Sequence, residues 1–294
     1  MKLKEMQSKS SLRRLYFIFF LSSITLATAL ATTKQAPIKL GVLSIAPPAK
    51  IFKQWTPFAD YLAAQIGRDV EIIVPRGFQK IKEAVANGEV DIFLVNSLIY
   101  YRLKQKGKVV PIAQIYNTND SVYNQGVLIA RTDSKIKSLK DLKGQKIAFV
   151  SPMGAGGYLA QRAKFYIAGV KTKTETKEVF TKNLTTSLHK VILGDVKAAA
   201  MCGISFKLMS QRIDTGELEE VAVSETFAES AFGANPNLSD KWRDQISTTI
   251  INMDKNEAGR KILKEMKKLK IKKFVKYDPK VEDVTRELIK NAEF

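Results

Sequence analysis

Short apolar runs alternate with amphipathic stretches along most of this chain, which restricts it to architectures in which helices cover a sheet. Ile38–Ile45 reads as a strand, and Trp55–Ile66 carries Phe58, Leu62 and Ile66 at helical spacing. Val70–Val74 and Val90–Val95 follow as strands, Phe78–Ala86 and Leu98–Gln105 as helices, and Val109–Tyr116 as a further strand. Val90–Val95 is apolar nearly throughout, the pattern of a strand buried on both faces. A polar break, Asn117–Ser121, gives way to Tyr123–Ala130 and a second alternating set. That set has strands at Lys146–Val150, Glu178–Phe180 and Ala198–Ile204, and helices at Leu159–Ala168 and Thr185–Leu193. After Val221–Val223, helices are expected over Asp240–Met253, Ala258–Leu269 and Val281–Ile289. Two half-size sets imply two α/β lobes.

The start of the chain has a different logic. Basic residues (Lys2, Lys4, Lys9, Arg13, Arg14) precede the apolar run Leu15–Leu21, and small residues Ala27, Ala29 and Ala31 follow it. These are the three parts of a secretory signal peptide, with cleavage expected after Ala29 or Ala31. The alternative, an uncleaved anchor, is disfavoured because the run is short and interrupted by Ser and Thr. One cysteine, Cys202, leaves an exported chain without an internal disulfide, so its core alone must hold it. A periplasmic or secreted protein is expected. The formal net charge of +19 favours anionic partners. Nucleic acid is not expected as a partner, because the lysines are spread along the chain, with their main cluster between Lys261 and Lys276.

A candidate binding element lies at Ser151–Tyr158, where Gly154, Gly156 and Gly157 crowd a turn between an expected strand and an expected helix. Such a turn directs free backbone N–H groups and a helix dipole at one point, where an anion is stabilised. Glycines also occur in such turns simply because the chain must bend sharply. Asn96 and Ser97 stand at the outlet of the buried Val90–Val95 strand, as ligand groups or as helix caps. Tyr100 and Tyr123 could supply hydroxyl donors and a wall. Tyr158, on the first turn of the expected helix, is either a ligand group or a residue of the core or rim. The single histidine, His189, falls on an amphipathic helix, and Cys and His nowhere approach metal-ligand spacing, so no metal, cofactor or catalytic triad is expected.

Several fragments in fixed order carry a resemblance. They are Pro57–Leu62, Gly88–Ile92 before Asn96–Tyr100, Tyr123–Val127, Leu139–Phe149, Gly194–Ala199 and Asn256–Arg260. With these, residues 38–290 resemble the periplasmic phosphate/phosphite/phosphonate substrate-binding proteins of ABC transporters, a family with the type 2 periplasmic-binding fold. The resemblance implies an α/β, two-lobed fold with two crossing hinge strands, placed near Ser121–Gly126 and Val221–Thr226. It divides the chain into a signal peptide (1–31), lobe one (32–121 and 226–294) and lobe two (122–225). It further implies a monomer without enzymatic activity that closes around a small anionic ligand and delivers it to an ABC permease in the inner membrane. The other reading is a ligand-sensing periplasmic partner of a membrane signalling protein, with the same fold and a non-phosphonate ligand.

The implied ligand residues are Asn96, Ser97, Tyr100, Tyr123, Gly154, Ala155, Gly156, Gly157 and Tyr158. At the turn, however, the family commonly has Ser-Thr-Ser where this chain has Gly154, Ala155 and Gly156, and Asn183-Leu184 replaces a family histidine. Backbone donors remain and hydroxyl donors do not. A hydrogen bond to a charged group contributes about 1.5–3 kcal/mol, so losing two or three would weaken a phosphonate complex by roughly 3–9 kcal/mol. Either the backbone amides suffice for a phosphorus oxyanion, or the smaller loop residues leave room for a bulkier cargo.

Overall fold

Local signals start and stop the elements that the apolar periodicity marks out. The computed structural model describes residues 35–43 and 46–292; the expected signal peptide lies outside them. Strand β1 (Ile38–Val42) leads into helix α1 (Pro48–Ile66), which begins with proline at its first position. It ends at Gly67 in the left-handed conformation, whose N–H donates to the Ala63 carbonyl. There follow β2 (Val70–Ile73), α2 (Gly77–Ala86), β3 (Ile92–Val95), α3 (Ser97–Gln105), β4 (Val110–Asn117), β5 (Tyr123–Arg131) and β6 (Lys146–Phe149). A π-turn over Ala155–Leu159 runs into α4 (Ala160–Ile167), then β7 (Lys177–Phe180), α5 (Leu184–Ile192), β8 (Ala198–Cys202) and α6 (Gly203–Met209). The chain ends through β9 (Leu218–Ala228), β10 (Ala231–Ala234), α7 (Asp240–Ile251), α8 (Glu257–Met266), β11 (Ile271–Val275) and α9 (Val281–Asn291).

The strands form two sheets, ordered β11-β4-β10-β3-β1-β2 and β7-β6-β8-β5-β9. In the first, β1 pairs parallel with β2 and β3, while β10 runs antiparallel between β3 and β4. In the second, β6 pairs parallel with β7 and β8, and β5 is antiparallel to β8 and β9. The expected α/β class and type 2 architecture are therefore present. β3 is buried at all four positions, as its continuous apolar run requires.

Three readings need correction. The expected strand over Ala198–Ile204 stops at Cys202, because Gly203 begins a helix. β10 and β11 carry no readable alternation, yet both join the first sheet. The chain enters the second sheet between Asn117 and Tyr123 and leaves it between Ala228 and Ala231. That return lies beyond Val221–Thr226, residues that pair inside the second sheet, Val223 with Val127 and Thr226 with Gln125.

On one face of the first sheet Phe58 of α1 stacks on Phe232 of β10, with ring centroids 5.5 Å apart and planes 13° from parallel. Phe274 of β11 and Trp55 complete this aromatic group from the side. Phe58 is wholly buried, so Phe58→Ala leaves a large cavity. It should lower the free energy of unfolding by about 3–5 kcal/mol, read from urea denaturation.

Candidate functional site

In open α/β sheets, ligands meet the chain beyond the carboxyl ends of parallel strands. Here β3 and β6 bring two such ends together. Asn96, just past β3, caps α3: its Oδ1 accepts the Ile99 N–H at 3.0 Å. Its Nδ2 donates to the Met153 carbonyl in the glycine turn, also at 3.0 Å, across 57 positions of sequence. Capping and reaching across are thus done by the two ends of one amide.

The turn is built in two parts. The Met153 N–H donates to Ser151 Oγ and the Gly154 N–H to the Ser151 carbonyl, both at 3.1 Å. The Leu159 N–H then donates to the Gly154 carbonyl at 2.9 Å, a wide helical turn rather than an α-turn. At the head of any helical run the first N–H groups lack intrahelical acceptors, which makes this the end that favours negative charge.

Two of its glycines, Gly156 and Gly157, are there for packing. A Cβ on Gly126 of β5 would lie 2.1 Å from the Gly156 carbonyl oxygen, and a Cβ on Gly156 would lie 2.4 Å from the Phe227 ring. One on Gly157 would meet the backbone of β8, 3.0 Å from Met201 Cα. The turn is therefore seated flush on β5 and β8. The expectation that small residues leave room fails at Gly156, where Phe227 takes the space. It holds only at Gly154, whose Cβ would meet nothing closer than 3.4 Å. Ala155 is buried in an apolar cluster with Leu98, Leu159, Phe227 and Leu288.

The remaining candidates divide. Tyr158 points into the second sheet's core, edge-on to Phe149 at 5.1 Å, and its hydroxyl donates to Glu178 at 2.9 Å. Burial, then Glu178, pushes its phenol up to about 12. Of its two readings, the core one matches the geometry. Tyr123 is half-buried and anchored through its backbone, its N–H donating to Ser121 Oγ and its carbonyl accepting from Asn117 Nδ2.

Ser97 and Tyr100 line a recess of about 10 Å³, the space of one water molecule, shared with Glu229, Tyr277 and Glu282. No turn residue lines it. Ser97 Oγ is buried there without a hydrogen-bond partner. Tyr100 stacks on Tyr277 at 5.1 Å, and burial, followed by the Glu282 carboxylate, raises its pKa. Glu282 accepts from Tyr277 at 2.9 Å and pairs with Lys104. Glu229, in the return between sheets, accepts from Asn117 at 3.0 Å and Asn124 at 2.8 Å, so one carboxylate ties both passages together.

Two residues escape sequence reasoning. Gln161 of α4 is fully buried, neither of its amide atoms has a hydrogen-bond partner, and its Nε2 faces Gly126. Only its place one turn after Gly157 hinted at proximity. Glu229 carried no signal, since nothing local marks it as bridging distant segments. Asn183 caps α5 by accepting the Thr186 N–H at 2.8 Å. Among the described residues no cluster of three His, Cys, Asp or Glu suits a metal ion, and no helix is long and apolar enough to cross a membrane.

Two helix-flanked sheets, joined by two adjacent passages and facing each other at strand outlets, define a type 2 periplasmic-binding fold. The chain belongs to the family described as "ABC transporter, phosphonate, periplasmic substrate-binding protein", whose sequence model matches residues 40–281. It is 26% identical over 211 residues to the phosphate-import protein PhnD of Mycolicibacterium smegmatis, covering 66% of this chain and 64% of that one. It is also 26% identical over 146 residues to the tetrathionate sensor histidine kinase TtrS of Salmonella typhimurium, covering 48% of this chain and 25% of the kinase. The chain thus spans less than two thirds of either relative. Among solved structures, a binding protein component of an ABC phosphonate transporter from Pseudomonas aeruginosa superposes with a TM-score of 0.78. That pair is 20% identical, over 88% of this chain and 87% of the other.

The packing of the turn makes a measurable distinction. Gly156→Ala should destabilise the protein by about 1–3 kcal/mol, whereas Gly154→Ala should be nearly neutral. Combined with Phe227→Leu, which removes ring carbons from the contact, Gly156→Ala should cost less than the sum of the two single changes. Thermal melting of the four variants provides the check.

Proposed function

We propose that this chain is an exported solute-binding protein that captures a small anionic ligand of the phosphate or phosphonate type and delivers it to an ABC permease in the inner membrane. It works as a monomer, without its signal peptide and without catalysis, and its two lobes are divided at the passages between the sheets. The Asn96–Met153 contact supports this reading most, because it joins the outlet of one sheet to the turn of the other. A ligand held there would take the place of this contact and accept the backbone N–H groups of the turn through its oxygens. Closure is a hinge motion about residues 118–122 and 229–230. Similarity to a sensor kinase over nearly half the chain favours a second reading, in which the closed form is presented to a membrane signalling protein.

Titration calorimetry with inorganic phosphate and methylphosphonate tests the ligand class. Without loop hydroxyls, micromolar or weaker binding is expected. Gly154→Ser, at the open position, should strengthen methylphosphonate binding about tenfold, and Gly156→Ser should not. At saturation the radius of gyration from small-angle scattering should fall. Absence of binding to both anions would sink the phosphate and phosphonate reading; nanomolar binding by the unmodified chain would remove the hydroxyls as the deciding factor.

A further inference from the structure

Residues 255–276 carry ten basic and two acidic side chains, a larger positive excess than any other stretch of that length outside its immediate surroundings. The fold presents many of these charges outward on rigid elements. Asn256 caps α8 by accepting the Gly259 N–H at 2.7 Å. Gly259 packs so closely on the preceding turn that a Cβ would sit 2.1 Å from the Met253 carbonyl oxygen. With Gly259, Leu263 and Met266 turned inward, Arg260, Lys261 and Lys264 face solvent. Lys267 and Lys268 follow in the next turn, Lys272 lies on the edge strand β11, and Lys276 stands just past its end.

Part of this charge is balanced locally. Lys268 pairs with Glu265, Lys272 with Asp120 and Lys273 with Asp254. Lys255, Lys261, Lys264, Lys267 and Lys276 are exposed and have no ion-pair partner among the described residues. Lysine on an edge strand also guards against strand pairing, which accounts for β11 but not for α8.

We propose that the α8–β11 face is a docking surface for the anionic headgroups of a phospholipid bilayer. The choice of partner follows from what the face contains and lacks. Nine of its ten basic residues are lysine, point charges on flexible stems that suit a diffuse anionic plane; arginine forks would suit bidentate recognition of single phosphates. Its one aromatic, Phe274, is buried, so nothing is offered for stacking on bases. No large exposed apolar side chain lies within it, so adsorption is electrostatic, reversible and without insertion. Held this way, a binding protein would search for a membrane partner over a surface instead of a volume.

The test is co-sedimentation of the full chain with vesicles of phosphatidylcholine alone or mixed with phosphatidylglycerol. The face variant changes Lys261, Lys264, Lys267 and Lys276 to Gln. The control changes Lys140, Lys146, Lys173 and Lys177 to Gln, four lysines that are also exposed and without ion pairs but lie in the segments around the second sheet. Thermal melting should show that both fold, and the N-terminal residues are common to all three proteins. Binding to the mixed vesicles should fall about tenfold or more in the face variant, change little in the control, and vanish near 1 M salt, where the Debye length is about 3 Å. Equal losses in both variants would assign the effect to net charge alone. No preference for anionic vesicles, or a face variant that binds like the original chain, would also overturn the proposal. So would tighter binding to duplex DNA that the face variant abolishes, which would make this a nucleic-acid surface.

Discussion

The four residues of β10 fill the middle of the first sheet, and the rest of the structure is arranged around that insertion. β3 and β4 do not pair with each other; each pairs with β10. Those residues arrive only after the chain has run through the whole second sheet. A sheet cannot hold its middle strand without closing the path that delivers it, so the outward and return passages must lie side by side. They do, and β5 and β9 stay paired from Tyr123 opposite Ala228 to Arg131 opposite Leu218. Phe232 of β10 then stacks on Phe58, tying helix α1 to the late strand. Gly233 lets the strand lie against Phe93 and Val109, which a Cβ would meet at 2.7 Å.

The same economy of space governs the glycine turn. Backbone approaches backbone at Gly126 and Gly157, and the Phe227 ring lies against Gly156, so a side chain at any of these positions would force its neighbours to shift. The absence of a side chain at Gly156 is a packing consequence, because the Phe227 ring occupies the space that a Cβ would take. The N–H groups at the head of the helical run, whose direction needs no side chain, are the donors that the proposed anion would meet. Gln161, buried beside Gly126 with both amide atoms unpaired, is a polar group whose desolvation the surrounding protein does not offset.

Polar chemistry is concentrated instead at the passages. Glu229 gathers Asn117 and Asn124, one from the end of β4 and one from the start of β5, onto a single carboxylate. Beside it, Ser97 and Tyr100 face a recess with room for one water. Burial and a neighbouring carboxylate keep the Tyr100 phenol protonated and able to donate. Motion at the passages would have to work against this network, which makes it a determinant of how readily the two sheets separate.

Much of this was legible in the residues. The continuous apolar run of β3, the period of α1 around Phe58, Leu62 and Ile66, and the glycine turn after β6 all depend on neighbours within a few positions, and local sterics and periodicity decide them. Asn96 could be read as a cap for the same reason. The Asn96–Met153 contact, the seating of Gly156 on Phe227, the bridging by Glu229 and the turning of Tyr158 toward Glu178 join residues far apart in sequence, and no local pattern encodes such distances. β10, with Ala231-Phe232-Gly233-Ala234, has no period at all, and β11 breaks alternation with Lys272-Lys273; β10 is a strand because it fits between β3 and β4, and β11 because β4 offers it a free edge. The sequence by itself determined most of the elements, the α/β class and the presence of a glycine-rich strand-to-helix turn. Only the tertiary structure decided which strands became neighbours, which glycines exist for packing and which candidate side chains face one another, because those outcomes depend on space filled by distant parts of the chain.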